Sequence, residues 1–87
     1  MENYKILIKK SAAEELSGGI PKKDVEKIVQ RIFALNDEPR PSGCRKLSGA
    51  EGFRLRQGDY RIVYTVDDAR RIVTIYKIGH RREIYCP

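Results

Sequence analysis

The sequence predicts a small α+β domain in the order β-α-α-β-β-β, a twisted antiparallel sheet with two N-terminal helices packed on one face. Three observations predict it. Residues 22–36 carry apolar side chains at helical spacing, residues 53–78 turn to the alternation and β-branched composition of strands, and a Pro-Arg-Pro-Ser-Gly breaker separates the two regions.

Each element has its own signal. Tyr4 to Lys9 partly alternates, with Tyr4, Ile6 and Ile8 on one face of a first strand. Ser11 followed by Glu14 is a capping-box spacing, so a short helix is expected to begin there and to stop at Gly18-Gly19. Pro21 suits a first helical position. Val25, Ile28, Val29, Ile32, Phe33 and Leu35 then form a stripe that must face a core, with Lys23, Asp24, Glu26, Lys27, Gln30 and Arg31 mostly on the other side. Phe53-Arg54-Leu55-Arg56 alternates strictly, Gln57-Gly58-Asp59-Tyr60 is a turn, and Arg61 to Val66 is the next strand. After a turn at Asp67-Asp68-Ala69-Arg70, Ile72 to Ile78 is the most apolar strand, expected to be central and covered on both faces.

A length of 87 residues holds one domain, spanning 1–87. With 40% hydrophobic and 34% charged residues the chain is too apolar to be disordered. It has no apolar run long enough to span a bilayer, and its first residues, Met-Glu-Asn-Tyr-Lys, do not read as a signal peptide. Cys44 and Cys86 have no metal-ligand spacing, so neither a disulfide framework nor a metal or other cofactor is expected, and the setting is cytoplasmic. The net charge is +6, yet residues 1–39 are balanced, so residues 40–87 hold the whole surplus, mostly as arginine. Arginine favours bidentate contacts with phosphate or carboxylate, which points to an anionic partner, either nucleic acid or an acidic protein.

The hairpin at Gly58-Asp59 concentrates that charge. A two-residue loop there pairs Gln57 with Tyr60, Arg56 with Arg61, Leu55 with Ile62, Arg54 with Val63 and Phe53 with Tyr64. Phe53, Leu55, Ile62 and Tyr64 then share one face, and Arg54, Arg56 and Arg61 share the other. Like charges directly opposite are unfavourable by up to ~1 kcal/mol per pair. Either an anion is expected between these arginines, or the guanidinium groups splay into screened solvent. The tail Gly79-His80-Arg81-Arg82 adds more cations and the one histidine, a side chain whose ordinary pKa of about 6.5 suits proton transfer near neutrality.

Gln57-Gly58-Asp59-Tyr60-Arg61-Ile62-Val63-Tyr64, followed by Ile78-Gly79-His80-Arg81-Arg82-Glu83-Ile84-Tyr85, resembles the RelE/ParE toxin superfamily of toxin–antitoxin pairs. The tail looks like the RelE branch, whose active members cut messenger RNA at the ribosome. The resemblance implies a ribosome-dependent, metal-independent endoribonuclease that halts translation. It places Arg61 and Arg81 on the scissile phosphate, Arg54 and Arg56 as phosphate-binding and charge-stabilising groups, and Tyr85 where a ring stacks on a base. Some members carry lysine as a candidate base where this chain has Arg54 and Arg56. Arginine is too basic to accept a proton, which leaves His80 as the candidate acid or base. Lys46, Lys77 and Arg82 are expected to contact RNA backbone. The implied partners are mRNA and the ribosome, and an acidic, partly disordered antitoxin that holds the monomeric toxin in a hetero-oligomeric complex; no membrane is implied. The alternatives are a ParE-like inhibitor of DNA gyrase without nuclease chemistry, or a degenerate toxin that only binds its antitoxin.

Overall fold

The computed structural model describes residues 3–47 and 52–80. Its elements are β1 (Lys5–Ile8), α1 (Lys10–Ser17), α2 (Lys22–Ala34), β2 (Arg45–Lys46), β3 (Phe53–Gln57), β4 (Tyr60–Asp67) and β5 (Ile72–His80). The strands form one sheet in the order β1-β5-β4-β3-β2. The antiparallel meander β3-β4-β5 is as the sequence predicts, but the sheet is mixed: β1 lies parallel to β5, from Lys5 beside Ile72 to Ile8 beside Ile75. Alternation reports that a segment is a strand and not which way it runs. The meander leaves two outer edges, and β1 and the two-residue β2 take one each. β4 is therefore central, and β5 is covered on one face only, with Val73, Ile75 and Ile78 buried and Tyr76 exposed.

A register shift reconciles β5 with that single buried face. Val63 pairs with Lys77 and Tyr64 with Ile75, so the ladder skips Tyr76. A skipped residue resets the two-residue period, which lets Ile75 and Ile78, three apart, both point into the core.

The two helices cover the inner face as expected, with differences at their borders. Ser11 does not cap α1. The helix begins at Lys10, and the Ser11 hydroxyl instead donates to the Tyr76 carbonyl at 3.1 Å, tying α1 to β5. Pro21 precedes the first helical residue of α2 rather than supplying it. In α2, Ile28, Ile32 and Leu35 are fully buried, whereas Phe33 is 55% exposed. At ~100° per residue Phe33 lies about 140° round the helix from Ile28, outside the buried stripe. Arg31 lies on the other border of that stripe, about 60° from Ile28 by the same arithmetic.

The core joins Ala12 of α1, the α2 stripe and the inner face of β3, β4 and β5. Tyr64 is its largest member, and its hydroxyl donates to the Pro39 carbonyl at 2.8 Å. Outside the core, Arg40 donates twice to Asp68 (2.8 and 3.2 Å) and lies over the Phe53 ring, while the Tyr4 hydroxyl donates to Asp68 at 2.7 Å. This clasp fastens the loop after α2 to the β4–β5 turn and to the start of the chain.

Candidate functional site

The β3–β4 hairpin has the register read from the sequence: Phe53 faces Tyr64, Arg54 faces Val63, Leu55 faces Ile62, Arg56 faces Arg61 and Gln57 faces Tyr60. Gly58, at φ +60°, makes the two-residue turn, a conformation that favours a residue without a Cβ. Residues directly opposite share a face, so Arg56 and Arg61 lie together, and Arg54 lies with them two residues along β3. Leu55 and Ile62 point the other way, into the core.

β2 adds a fourth arginine that the sequence reading missed. Arg45 is the partner of Arg54, which puts it on the same face. β2 pairs only with Phe53 and Arg54, so Leu55 to Gln57 have no strand beyond them among the described residues. Beside that open edge lies a cleft of about 510 Å³, lined by Arg31, Gly43, Arg45, Arg54, Arg56, Gly58 and Arg61. Arg31 reaches it from α2. Its border position on the apolar stripe is the signal that would have marked it; a two-residue strand such as β2 carries no periodic signal at all.

The cleft is strongly cationic. Arg61 is only 5% exposed, between Arg56 on one side and Gly79, which brings no side chain, on the other. Arg45 and Arg56 are exposed. No carboxylate among the described residues pairs with Arg31, Arg45 or Arg56; the ion pairs Arg40–Asp68 and Lys77–Glu15 lie elsewhere. Arginine stays charged at any physiological pH, so these are fixed positive charges gathered against low-dielectric walls, where their field is focused. On the core side of β4, burial pushes the Tyr64 phenol well above its ordinary range, and the neighbouring Cys44 thiol adds to the shift. Among the described residues no group of three His, Cys, Asp or Glu side chains could hold a metal ion.

The remaining sequence-based candidates are spread out. His80 pairs with Tyr60 across β4 and β5, on the face opposite Arg61, and its ring meets that of Tyr60 edge-on at 5.7 Å. It lines a separate hollow of about 290 Å³ with Glu15, Gly18, Gly19, Ile20, Tyr60, Ile78 and Gly79. Lys46 is exposed on β2, one residue out of phase with Arg45. Lys77 is 3.7 Å from Glu15 and lines neither the cleft nor the His80 hollow. Arg81, Arg82 and Tyr85 lie outside the described residues.

Comparison with known proteins bears on this geometry. The family described as the ParE toxin of the type II toxin–antitoxin system parDE matches residues 6–85. Toxin RelG of Mycobacterium tuberculosis is 34% identical over 76 residues, covering 74% of this chain and 85% of that toxin. Toxin RelE of the same organism is 33% identical over 84 residues, covering 94% and 86%. Among solved structures, the M. tuberculosis toxin–antitoxin complex RelBE2 has a chain of the same fold at a TM-score of 0.79 and 28% identity, covering 91% of this chain and 99% of that one. The archaeal RelE–RelB complex of Pyrococcus horikoshii matches at 0.77 and 26%, covering 91% and 96%. The chain belongs to the RelE/ParE superfamily of toxins of type II toxin–antitoxin systems.

Proposed function

We propose that this toxin is a metal-independent endoribonuclease that cuts mRNA at the ribosome and so halts translation. One observation carries the reading: Arg45, Arg54, Arg56 and Arg61 share a sheet face and, with Arg31, one cleft. The RNA 2′-hydroxyl attacks the adjacent phosphorus, the bond to the 5′-oxygen breaks, and a 2′,3′-cyclic phosphate and a 5′-hydroxyl result. One proton leaves the 2′-oxygen and one arrives at the departing 5′-oxygen. Negative charge builds on the phosphoryl oxygens in between, and fixed cations placed there lower the barrier. Arg56 and Arg61 are assigned to those oxygens, joined by Arg81 from the tail, and Arg54 to the flanking backbone.

The described lining of the cleft supplies charge and no base. Of the two proton-transfer candidates by residue chemistry, His80 faces the helix side with its ring on Tyr60, away from Arg56 and Arg61, so the step is assigned to Tyr85, which otherwise stacks on a base. His80→Gln is therefore expected to retain cutting, and loss of cutting would return the step to His80. Lys46, Lys77 and Arg82 are assigned to nonspecific contact with RNA backbone. The proposed setting is the cytoplasm, where an acidic, partly disordered antitoxin would cover the arginine face and hold the toxin inactive. Induction followed by mapping of mRNA ends by primer extension tests the reading. Codon-positioned cuts that vanish in Arg61→Gln, with folding checked by circular dichroism, support it; growth arrest and cuts that survive the substitution contradict it.

The match to the ParE toxin family favours a second reading, an inhibitor of DNA gyrase that performs no chemistry. Purified gyrase with supercoiled plasmid discriminates. Accumulated cleavage complexes without mRNA cutting select this reading.

A further inference from the structure

The backbone of β3 is left open toward β2 at Arg56. In an antiparallel pair, residues that exchange N–H···O bonds with their opposite number alternate with residues whose N–H and C=O point away. The Leu47 N–H donates to the Gly52 carbonyl at 3.0 Å, which makes those two a bonded pair and, two residues on, makes Arg45 and Arg54 the next. By the same alternation the N–H and C=O of Arg56 face the β2 side, where Gly43 is the residue due opposite. No pairing forms there. Gly43 adopts φ +96° and the Cys44 N–H donates to the Pro41 carbonyl at 3.1 Å, so the chain turns away from β3 just before β2. The N–H and C=O of Arg56 face outward, with no strand beyond them among the described residues.

That open rung borders the arginine cleft, and the glycines on either side of it, Gly43 and Gly58, both line the cleft. A Cβ at either would meet nothing within 4 Å, so open space lies in front of the rung and no side chain of theirs screens it. The N–H and C=O of one extended residue point the same way and set one donor beside one acceptor. An added peptide strand needs a row of such rungs at every second residue, and here one is open. A flat group with an acceptor beside a donor fits a single rung. The pairing edge of a nucleobase is such a group. The exposed arginines 45 and 56 beside it favour an occupant carried on an anionic backbone.

We propose that the main-chain N–H and C=O of Arg56 hold the pairing edge of one base of a single-stranded nucleic acid lying in the cleft. This rests on the reading of the cleft as a nucleic-acid site and adds to it a contact with a base, made by the backbone and independent of side-chain charge. The order of donor and acceptor gives the rung a preference. Adenine and cytosine set an amino donor beside a ring-nitrogen acceptor, whereas guanine and uracil set a carbonyl acceptor beside a ring N–H. For a strand held in one orientation these two orders are opposite. The rung therefore pairs with one class of base and sets donor against donor, and acceptor against acceptor, in the other.

The probes are short 2′-deoxy oligonucleotides, which cannot be cut by a 2′-hydroxyl. One series moves a single abasic site along the strand, and a second varies the base at the position so found. One position is expected to lose about threefold to tenfold in affinity for the intact toxin when its base is removed, the worth of a neutral hydrogen bond, and to separate adenine and cytosine from guanine and uracil. The contact is then removed with the arginine side chain kept. The Gly43-Cys44 junction lets the full chain be joined from two synthetic halves, with Arg56 replaced by its α-hydroxy analogue, which lacks the N–H. Circular dichroism checks its folding. The analogue is expected to bind the base-bearing probe no better than the abasic one, whose affinity stays within about twofold of that for the parent. A base that only stacks on a ring would keep its effect. The amino–keto separation in the parent carries the test even where the analogue does not fold. No base-dependent position in the parent, or a dependence that survives loss of the N–H, overturns the proposal and leaves the nucleic-acid reading standing. A glutamate-rich peptide whose binding falls with the N–H, while oligonucleotides bind without base dependence, gives the rung to a peptide strand and overturns it too. Failure of every oligonucleotide to bind overturns the nucleic-acid reading as well.

Discussion

Tyr64 is fully buried, and its hydroxyl has a partner in the Pro39 carbonyl at 2.8 Å. Tyr64→Phe keeps the ring and leaves a buried carbonyl unsatisfied, a loss of about 1–3 kcal/mol measurable as a lower urea midpoint. The same burial raises the phenol's pKa in the fold. A raised folded-state pKa means stability is fully present below the unfolded value near 10 and is lost as pH climbs above it. Alkaline unfolding is therefore expected to be blunted in Tyr64→Phe. Asp68 has the opposite sign. Its bonds from Arg40 and Tyr4 lower its pKa, so its contribution is present above the ordinary carboxylate range and fades as pH falls through the lowered value. Asp68→Asn is expected to flatten the acid limb of the stability profile slightly, since the group is exposed to solvent.

Arg56 ties stability to function at a single position. It faces Arg61 directly, so Arg56→Glu turns a like-charged pair into an opposite one. Thermal melts are expected to show a gain of up to about 1 kcal/mol, together with loss of RNA cutting. A destabilised variant, or one that still cuts, would contradict the idea that this arginine serves an anion rather than the fold.

At the scale of elements, the hairpin was legible to the residue, because one register puts Phe53, Leu55, Ile62 and Tyr64 in the core and a one-residue slip would expose all four. Gly58 fixes that register from the turn, and at φ +60° Gly58→Ala is expected to cost about 1–2 kcal/mol although its methyl would meet nothing within 4 Å. The α2 stripe was legible except at Phe33, where a wide apolar arc exceeds the narrow one that the sheet covers. Ser11 and Glu14 match a capping box, but tertiary contact takes the serine hydroxyl to Tyr76 instead. Glu14→Ala is accordingly expected to leave the denaturation midpoint within about 0.5 kcal/mol of the parent, where a working cap would lose about 1. The β5 bulge, the parallel placement of β1 and the two residues of β2 depend on long-range pairing and leave no local signature.

Across the whole molecule the division of charge follows the division of labour. The balanced N-terminal part supplies β1 and the two helices, whose main contribution is apolar cover, while the basic remainder supplies the face that β3, β4 and β2 present. Three of the five arginines of the candidate site were readable because Arg54, Arg56 and Arg61 lie on one hairpin. Arg31 and Arg45 join them only once α2 and β2 are packed beside it. His80 adjoins Gly79, the β5 partner of Arg61, yet faces the helix side, a consequence of strand alternation that closeness in sequence to the basic tail conceals. The concentration of five arginines around one cleft is the property on which the ribonuclease reading stands. Its most direct test is single-turnover cutting of an mRNA on programmed ribosomes by the parent toxin and by Arg56→Gln, an exposed position where folding is preserved. The expected result is ribosome-dependent cutting by the parent and a loss of about a hundredfold in the variant, a typical deficit when one charge-stabilising donor is removed. Equal rates for the two proteins, or no cutting by a parent that still arrests growth, would contradict it.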